Sequence, residues 1–139
     1  MINAVALGGG LSMITGARTS VPSVALSGPN SRISRLSFDV TEEDLNDYTF
    51  NIVPDRDPVP RIDDLSLNYQ RIQCTSEANK LFGCHKPILA ICEIMHNCGS
   101  EGRGFPCICV HEYGYPEPDI IDEAGETFLQ ACPKPESKK

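Results

Sequence analysis

Three features of this chain have the residue types and spacing for chemistry: a glycine-rich turn near its start, an aspartate on a proline-stiffened loop, and three histidines downstream of that aspartate. A strand running into a tight glycine turn and then a helix is the arrangement that displays a nucleophilic serine in the pattern G-x-S-x-G. In "AVALGGG" the first glycine of that pattern falls on Ala4, the serine on Ala6 and the last glycine on Gly8. An alanine methyl cannot attack a carbonyl, so in this register the nucleophile is absent. Ser12 is no substitute, because it lies more than one helical turn beyond the strained position.

The loop "VPDRDPVPRID" follows an apolar run and carries Asp57 between Arg56 and Pro58. A carboxylate held just beyond a strand on a stiff turn can accept the Nδ1 proton of a histidine and so fix its tautomer. Asp and Pro are also ordinary residues of a solvated turn, and chemistry alone leaves that alternative open. A partner histidine should follow in chain order, on a late loop. His111 opens the loop after "FPCICV" and is preferred; His85, beside Cys84, is the second choice. His96 falls inside a helical stretch and reads as structural.

Other site chemistries fit less well. A P-loop needs lysine followed by Ser or Thr after its last glycine, whereas Leu11 and Ser12 follow Gly10, and consecutive glycines do not make a dinucleotide fingerprint. Zinc sites pair cysteines at C-x₂₋₄-C spacing, and Cys74, Cys84, Cys92, Cys98, Cys107 and Cys109 contain no such pair. Neither a metal nor a cofactor is therefore expected. Seven cysteines in 139 residues instead suggest a disulfide-permissive compartment and three bridges, with Cys132 left unpaired. Twelve Lys plus Arg against nineteen Asp plus Glu give a net charge of −7, which argues against a nucleic-acid partner.

Residues 1–17 carry no charged side chain, but they lack the leading positive charge of a signal peptide and the apolar length of a membrane span. The elements that would position the chemistry are a glycine-led helix from Leu7 to Ala17 and a buried strand within Val21 to Gly28. A helix capped by Thr41 and a strand from Tyr48 to Val53, with Tyr48, Phe50 and Ile52 on one face, come next. "YQRIQC" reads as one more strand, ending at Cys74. A helix from Pro87 carries Ile88, Ile91, Cys92 and Met95 on its apolar stripe and closes at Cys98 and Gly99. "FPCICV" reads as a short strand with Cys107 and Cys109 on one face. Helix alternating with buried strand predicts a parallel α/β layer.

Together "ALGGGLSMITGA", "VPSVALSGPN" and "YTFNIVPDRDPVPRID" resemble the second half of the fungal-type (class 3) lipases, of the α/β-hydrolase fold. In that family a G-H-S-L-G-G elbow is followed by a helix, a strand ending in a glycine-proline turn, a helix, a strand and an R-D-x-V-P loop. The order matches here through about residue 63, and Arg56 to Pro60 carry the loop. The resemblance implies that Asp57 is the triad aspartate and that His111 or His85 completes the pair. The family's elbow serine falls on Ala6, its histidine neighbour on Val5 and its first glycine on Ala4, so the match breaks at the nucleophile.

The resemblance further implies a partial α/β-hydrolase domain over residues 1–63, a cysteine-rich α+β extension over residues 64–132 and a disordered polar tail over residues 133–139. The family's earlier strands and first oxyanion donor would precede Met1, so the chain is expected to be the later part of a lipase, inactive alone, and the raw edge left on its parallel sheet predicts poor solubility or a need for a partner. The implied substrate in complete relatives is an acylglycerol or other carboxylic ester met at a lipid surface, in a secreted or endolysosomal setting. Two other readings compete: a non-catalytic relative that binds lipid or protein, and a small disulfide-rich secreted module.

Overall fold

A computed structural model describes residues 1–74, 82–99, 104–119 and 126–134. The chain divides into two compact units, residues 1–90 and residues 91–139. The first is an α/β layer. Four parallel strands, β1 (Ile2–Val5), β2 (Ser23–Leu26), β3 (Thr49–Pro54) and β4 (Tyr69–Ile72), lie in the order β1-β2-β3-β4. Val5 pairs with Leu26, Leu26 with Ile52 and Pro54 with Ile72. Parallel neighbours require a crossover at each step, which brings every strand's carboxyl end to the same edge. The turns after β1 and β3 therefore emerge at that same edge, with β2 between them.

The first crossover is α1 (Ala6–Thr19), whose buried side carries Gly9, Gly10, Ser12, Met13, Gly16 and Ala17. Two of these glycines let the helix approach the sheet. A Cβ at Gly9 would stand 3.0 Å from the Gly28 Cα, and one at Gly16 would stand 2.7 Å from the Val21 carbonyl oxygen. The second crossover carries a 3₁₀ turn (Ser34–Phe38) and α2 (Glu42–Tyr48). Thr41 caps α2 as the sequence indicates. Its hydroxyl accepts from the Asp44 amide at 3.0 Å while the Asp44 carboxylate accepts from the Thr41 amide at 3.0 Å. The Thr41 hydroxyl first, and its amide second, hold the Asp44 carboxyl below its ordinary value. Ala17, Val40 and Leu45 form the apolar cluster between these elements.

The face of β3 differs from expectation. Thr49, Asn51 and Val53 are buried along one face, with Pro54 buried at its end, and Phe50 is 39 % exposed. The alternation marks the strand correctly, but polar Asn51 is drawn inward by hydrogen bonds rather than by hydropathy. Its Nδ2 donates to the Gly28 carbonyl at 2.9 Å and to Asn30 Oδ1 at 3.2 Å, while its Oδ1 accepts from the Gly28 amide. A buried amide is tolerated where each of its polar atoms is satisfied.

Helix α3 (Pro87–Cys98) contains the division between the units. Its buried positions are Leu89, Ala90, Cys92 and Glu93, while Ile91 is 41 % exposed, so the buried stripe is rotated by about one residue from the one expected. Two bonds account for that rotation. Cys92 is joined to Cys109, and Glu93 accepts from the Tyr115 hydroxyl at 2.8 Å.

In the second unit "FPCICV" is not a strand. Cys107–His111 form a short helix, α4, entered from Pro106, whose carbonyl accepts from the Cys109 amide at 2.9 Å. Residues two apart point to one side of a strand but about 200° apart on a helix. That divergence suits the two bridges they make, Cys109 to Cys92 and Cys107 to Cys132. Three disulfides form, the third being Cys74–Cys84 in the first unit, and the unpaired cysteine is exposed Cys98 rather than Cys132. A further short helix, α5 (Phe128–Ala131), carries Cys132 at its end. Residues 135–139 of the expected tail lie outside the described residues.

Candidate functional site

The loop after β3 is built by hydrogen bonds that leave Asp57 one place to go. The Asp57 amide donates to the Pro54 carbonyl at 3.2 Å, closing a turn in which Arg56 has φ 64°. A left-handed third residue is what a type II turn demands. The Asp55 amide donates to Ile72 of β4 at 2.8 Å, and the Asn30 amide donates to Ile62 at 3.1 Å. The Asn30 side-chain amide also donates to the carbonyl of fully buried Pro60. The loop is thus pinned from β2 on one side and β4 on the other.

Asp57 is fully buried. Its Oδ1 accepts from the Val59 amide at 2.9 Å, and its Oδ2 faces His85 Nδ1 at 3.0 Å. Against an ionised carboxylate, Nδ1 must carry a proton. His85 Nε2 makes no hydrogen bond with any described residue, and the side chain is 23 % exposed. This is an imidazole oriented from behind by a buried carboxylate, with its outer nitrogen free to take or give a proton.

Three features hold His85 there. The turn Gly83–His85 buries Gly83 and Cys84, and Cys84 is bonded to Cys74, two residues beyond β4. The His85 amide donates to the Phe82 carbonyl at 3.2 Å, and the Phe82 ring meets the imidazole edge-on, with centroids 6.5 Å apart. Arg56, next to Asp57, donates from its guanidinium to the Cys74 carbonyl at 2.6 Å. Aspartate and histidine are therefore joined by a second route, through Arg56, Cys74 and Cys84.

Of the two histidines weighed for the pair, the structure brings His85 to Asp57. His111 lies in the second unit, where its Nε2 donates to the Cys132 carbonyl at 2.9 Å. Its Nδ1 is buried without a partner among the described residues, and it lines a cavity of about 470 Å³ with Cys107, Ile108, Glu112, Pro133 and Lys134. The loop-opening position that favoured it belongs to the end of a helix, α4, not to a strand. His96 is exposed, its ring 5.7 Å from that of Tyr115.

Ala6 occupies the first position of α1 with φ 54°. A left-handed conformation costs a residue bearing a Cβ about 1–2 kcal/mol. Such strain persists only where the surroundings impose it. Here a strand runs directly into a helix, and the close approach of α1 to Gly28 fixes the helix start. The Ser12 hydroxyl is directed elsewhere, donating to the Gly9 carbonyl at 2.8 Å.

The tie through Cys74 and Arg56, and the Asn30 and Asn51 network, were not read from the sequence. The one available signal was the adjacency of Cys84 to His85. Among the described residues no group of three or more His, Cys, Asp or Glu could hold a metal ion, and no helix is long and apolar enough to cross a membrane. Compared with models of protein families, with curated proteins and with solved structures, the chain finds no match.

Proposed function

We propose that the first unit is a lipase-like serine-hydrolase scaffold, similar to the class 3 lipases, with alanine in the seat of the nucleophile. The Asp57–His85 hydrogen bond, 3.0 Å long and backed by a fully buried carboxylate, is the observation that carries this reading. The spacing supports it. Ala6 follows β1 and Asp57 follows β3, two strand intervals apart, or about 10 Å. An imidazole with a hydrogen bond at each nitrogen spans about 8 Å.

With a serine at position 6, the hydroxyl would attack an ester carbonyl while His85 Nε2 takes its proton and returns it to the departing alcohol. Water would then release the acid by the same route, with Asp57 holding the imidazole's tautomer throughout. The natural chain has no atom at Ala6 that can bond to the carbonyl. Its role is therefore to hold a carboxylic ester, of the acylglycerol type implied by the resemblance, without forming an acyl-enzyme. The three disulfides suit an oxidising compartment, secreted or lumenal.

The test is hydrolysis of a short-chain fluorogenic ester by the natural chain, by Ala6→Ser and by Ala6→Ser with Asp57→Asn. Activity that appears with the serine and falls about 10⁴-fold with the asparagine is expected, because the amide imposes the wrong imidazole tautomer. Three inert proteins, each folded, would overturn the reading.

A further inference from the structure

The turn carrying His85 is tied to the sheet by few links. Among the described residues, Gly83–His85 reaches residues 1–74 through two polar or covalent bonds, the Asp57–His85 hydrogen bond and the Cys74–Cys84 disulfide. The remaining hydrogen bonds of the turn are local: His85 to Phe82, and Lys86 to Gly83. A part-buried imidazole cannot by itself fix a turn against a carboxylate, because ordering the backbone opposes the bond. The disulfide removes that cost by fixing the residue next to His85.

The other end of the disulfide is fixed just as locally. Cys74 follows β4, and its carbonyl takes the Arg56 guanidinium at 2.6 Å. Arg56 is itself set by its left-handed turn and adjoins Asp57. We propose that the Cys74–Cys84 disulfide is the positioning device of the His85 imidazole, so that the Asp57–His85 pair exists when this bond is closed and is lost when it is reduced. The inference deepens the function proposed above, since this pair is its general base, but it is testable without any hydrolysis.

The switch is chemically balanced with a dithiol as reductant. A thiolate of the reductant attacks one sulfur, and its second thiol resolves the mixed disulfide. Two electrons and two protons pass to Cys74 and Cys84, and the reductant leaves as its own disulfide. Cys84 is 3 % exposed and Cys74 is half-buried, which directs the first attack to Cys74. The sheet itself holds no part of this bond, so the change is local.

The readout is the ring ¹⁵N spectrum of the chain labelled at histidine, with His85 assigned from a His85→Gln variant. In the oxidised chain His85 is expected as the Nδ1–H tautomer. In a Cys74→Ser, Cys84→Ser variant, which keeps the other two bridges, it is expected to revert to the Nε2–H form that a free imidazole favours, while the His96 and His111 signals stay in place. A folded variant with an unchanged His85 signal overturns the proposal.

Should that variant fail to fold, the natural chain is treated with dithiothreitol and the opened cysteines are alkylated and mapped. Loss of the Nδ1–H signal in step with labelling of Cys74 and Cys84 supports the proposal. A signal that outlasts their labelling, or that is lost only together with Cys92–Cys109, overturns it. An inert Ala6→Ser protein whose tautomer still switches would remove the proposed function and leave this inference standing.

Discussion

Replacing Asp57 by alanine and by asparagine should have unequal effects on stability, and the inequality can be worked from two hydrogen bonds. Asp57 is fully buried and accepts from the Val59 amide at 2.9 Å and from His85 Nδ1 at 3.0 Å. Alanine leaves the Val59 amide without its acceptor, at about 1–3 kcal/mol, and deletes a charge-assisted bond to the imidazole worth about 1.5–3 kcal/mol. The sum, about 2.5–6 kcal/mol, is a large fraction of the roughly 5–15 kcal/mol that holds a domain together. Asparagine keeps the acceptor for Val59 and meets the imidazole with a donor, so His85 changes tautomer and a hydrogen bond survives. Its cost should be about 1 kcal/mol. Urea unfolding followed by far-ultraviolet circular dichroism measures both, with the slope showing whether the transition is unchanged. Equal destabilisation by the two variants, or an alanine variant within about 1 kcal/mol of the natural chain, would refute the geometry assigned to this loop.

Three further outcomes follow from other parts of the molecule. Burial raises the Asp63 carboxyl, but hydrogen bonds from the Ile33 amide, the Ser34 hydroxyl and the Asp64 and Ser34 amides together hold it below its ordinary value of 3.8. A carboxyl lowered in the folded state contributes stability above that value and loses it as pH falls through the folded one, so acid unfolding monitored below pH 4 should be shallower in Asp63→Asn. Gly16→Ala drives a Cβ to within 2.7 Å of the Val21 carbonyl oxygen, whereas a Cβ at Gly104 would meet nothing within 4 Å. The first should cost about 1–3 kcal/mol by thermal melting and the second should be near neutral. Finally, alkylation of the denatured, unreduced chain should label one cysteine and map it to Cys98; label on Cys132 would contradict the bridge to Cys107.

The parts of the fold legible in the sequence were those governed by local chemistry. The Thr41 cap, the glycine-led helix and the Pro54 strand stop each depend on neighbours a few residues away, and each appears close to where its residues indicate. The misread parts were those decided at long range. Which face of β3 is buried turns on Asn51 meeting Gly28 and Asn30, more than twenty positions away. The path of "FPCICV" turns on cysteines whose partners, Cys92 and Cys132, lie on either side in sequence and pull in different directions. The same distinction holds at the candidate site. The turn at Asp57 was legible because prolines and an arginine around it fix it, while the histidine that meets Asp57, His85, adjoins the Cys74–Cys84 bond, one of fifteen possible pairings of six cysteines.

The conformation at Ala6 bears on how the proposed seat of a nucleophile should be read. If residue 6 merely began a helix, nothing would hold it at φ 54°, and a relaxed helical φ would cost less. The strain is instead imposed by the direct junction of β1 with α1 and by the close approach of Gly9 to Gly28, features that involve backbone atoms and no side chain of residue 6. Alanine and serine bear the strain alike, since it arises at Cβ. The junction is thus shaped independently of the atom that would use it, and adding one oxygen at position 6 requires no rearrangement of the turn. For that reason an inert Ala6→Ser protein could not be attributed to a misfolded elbow, and would count directly against the proposed chemistry.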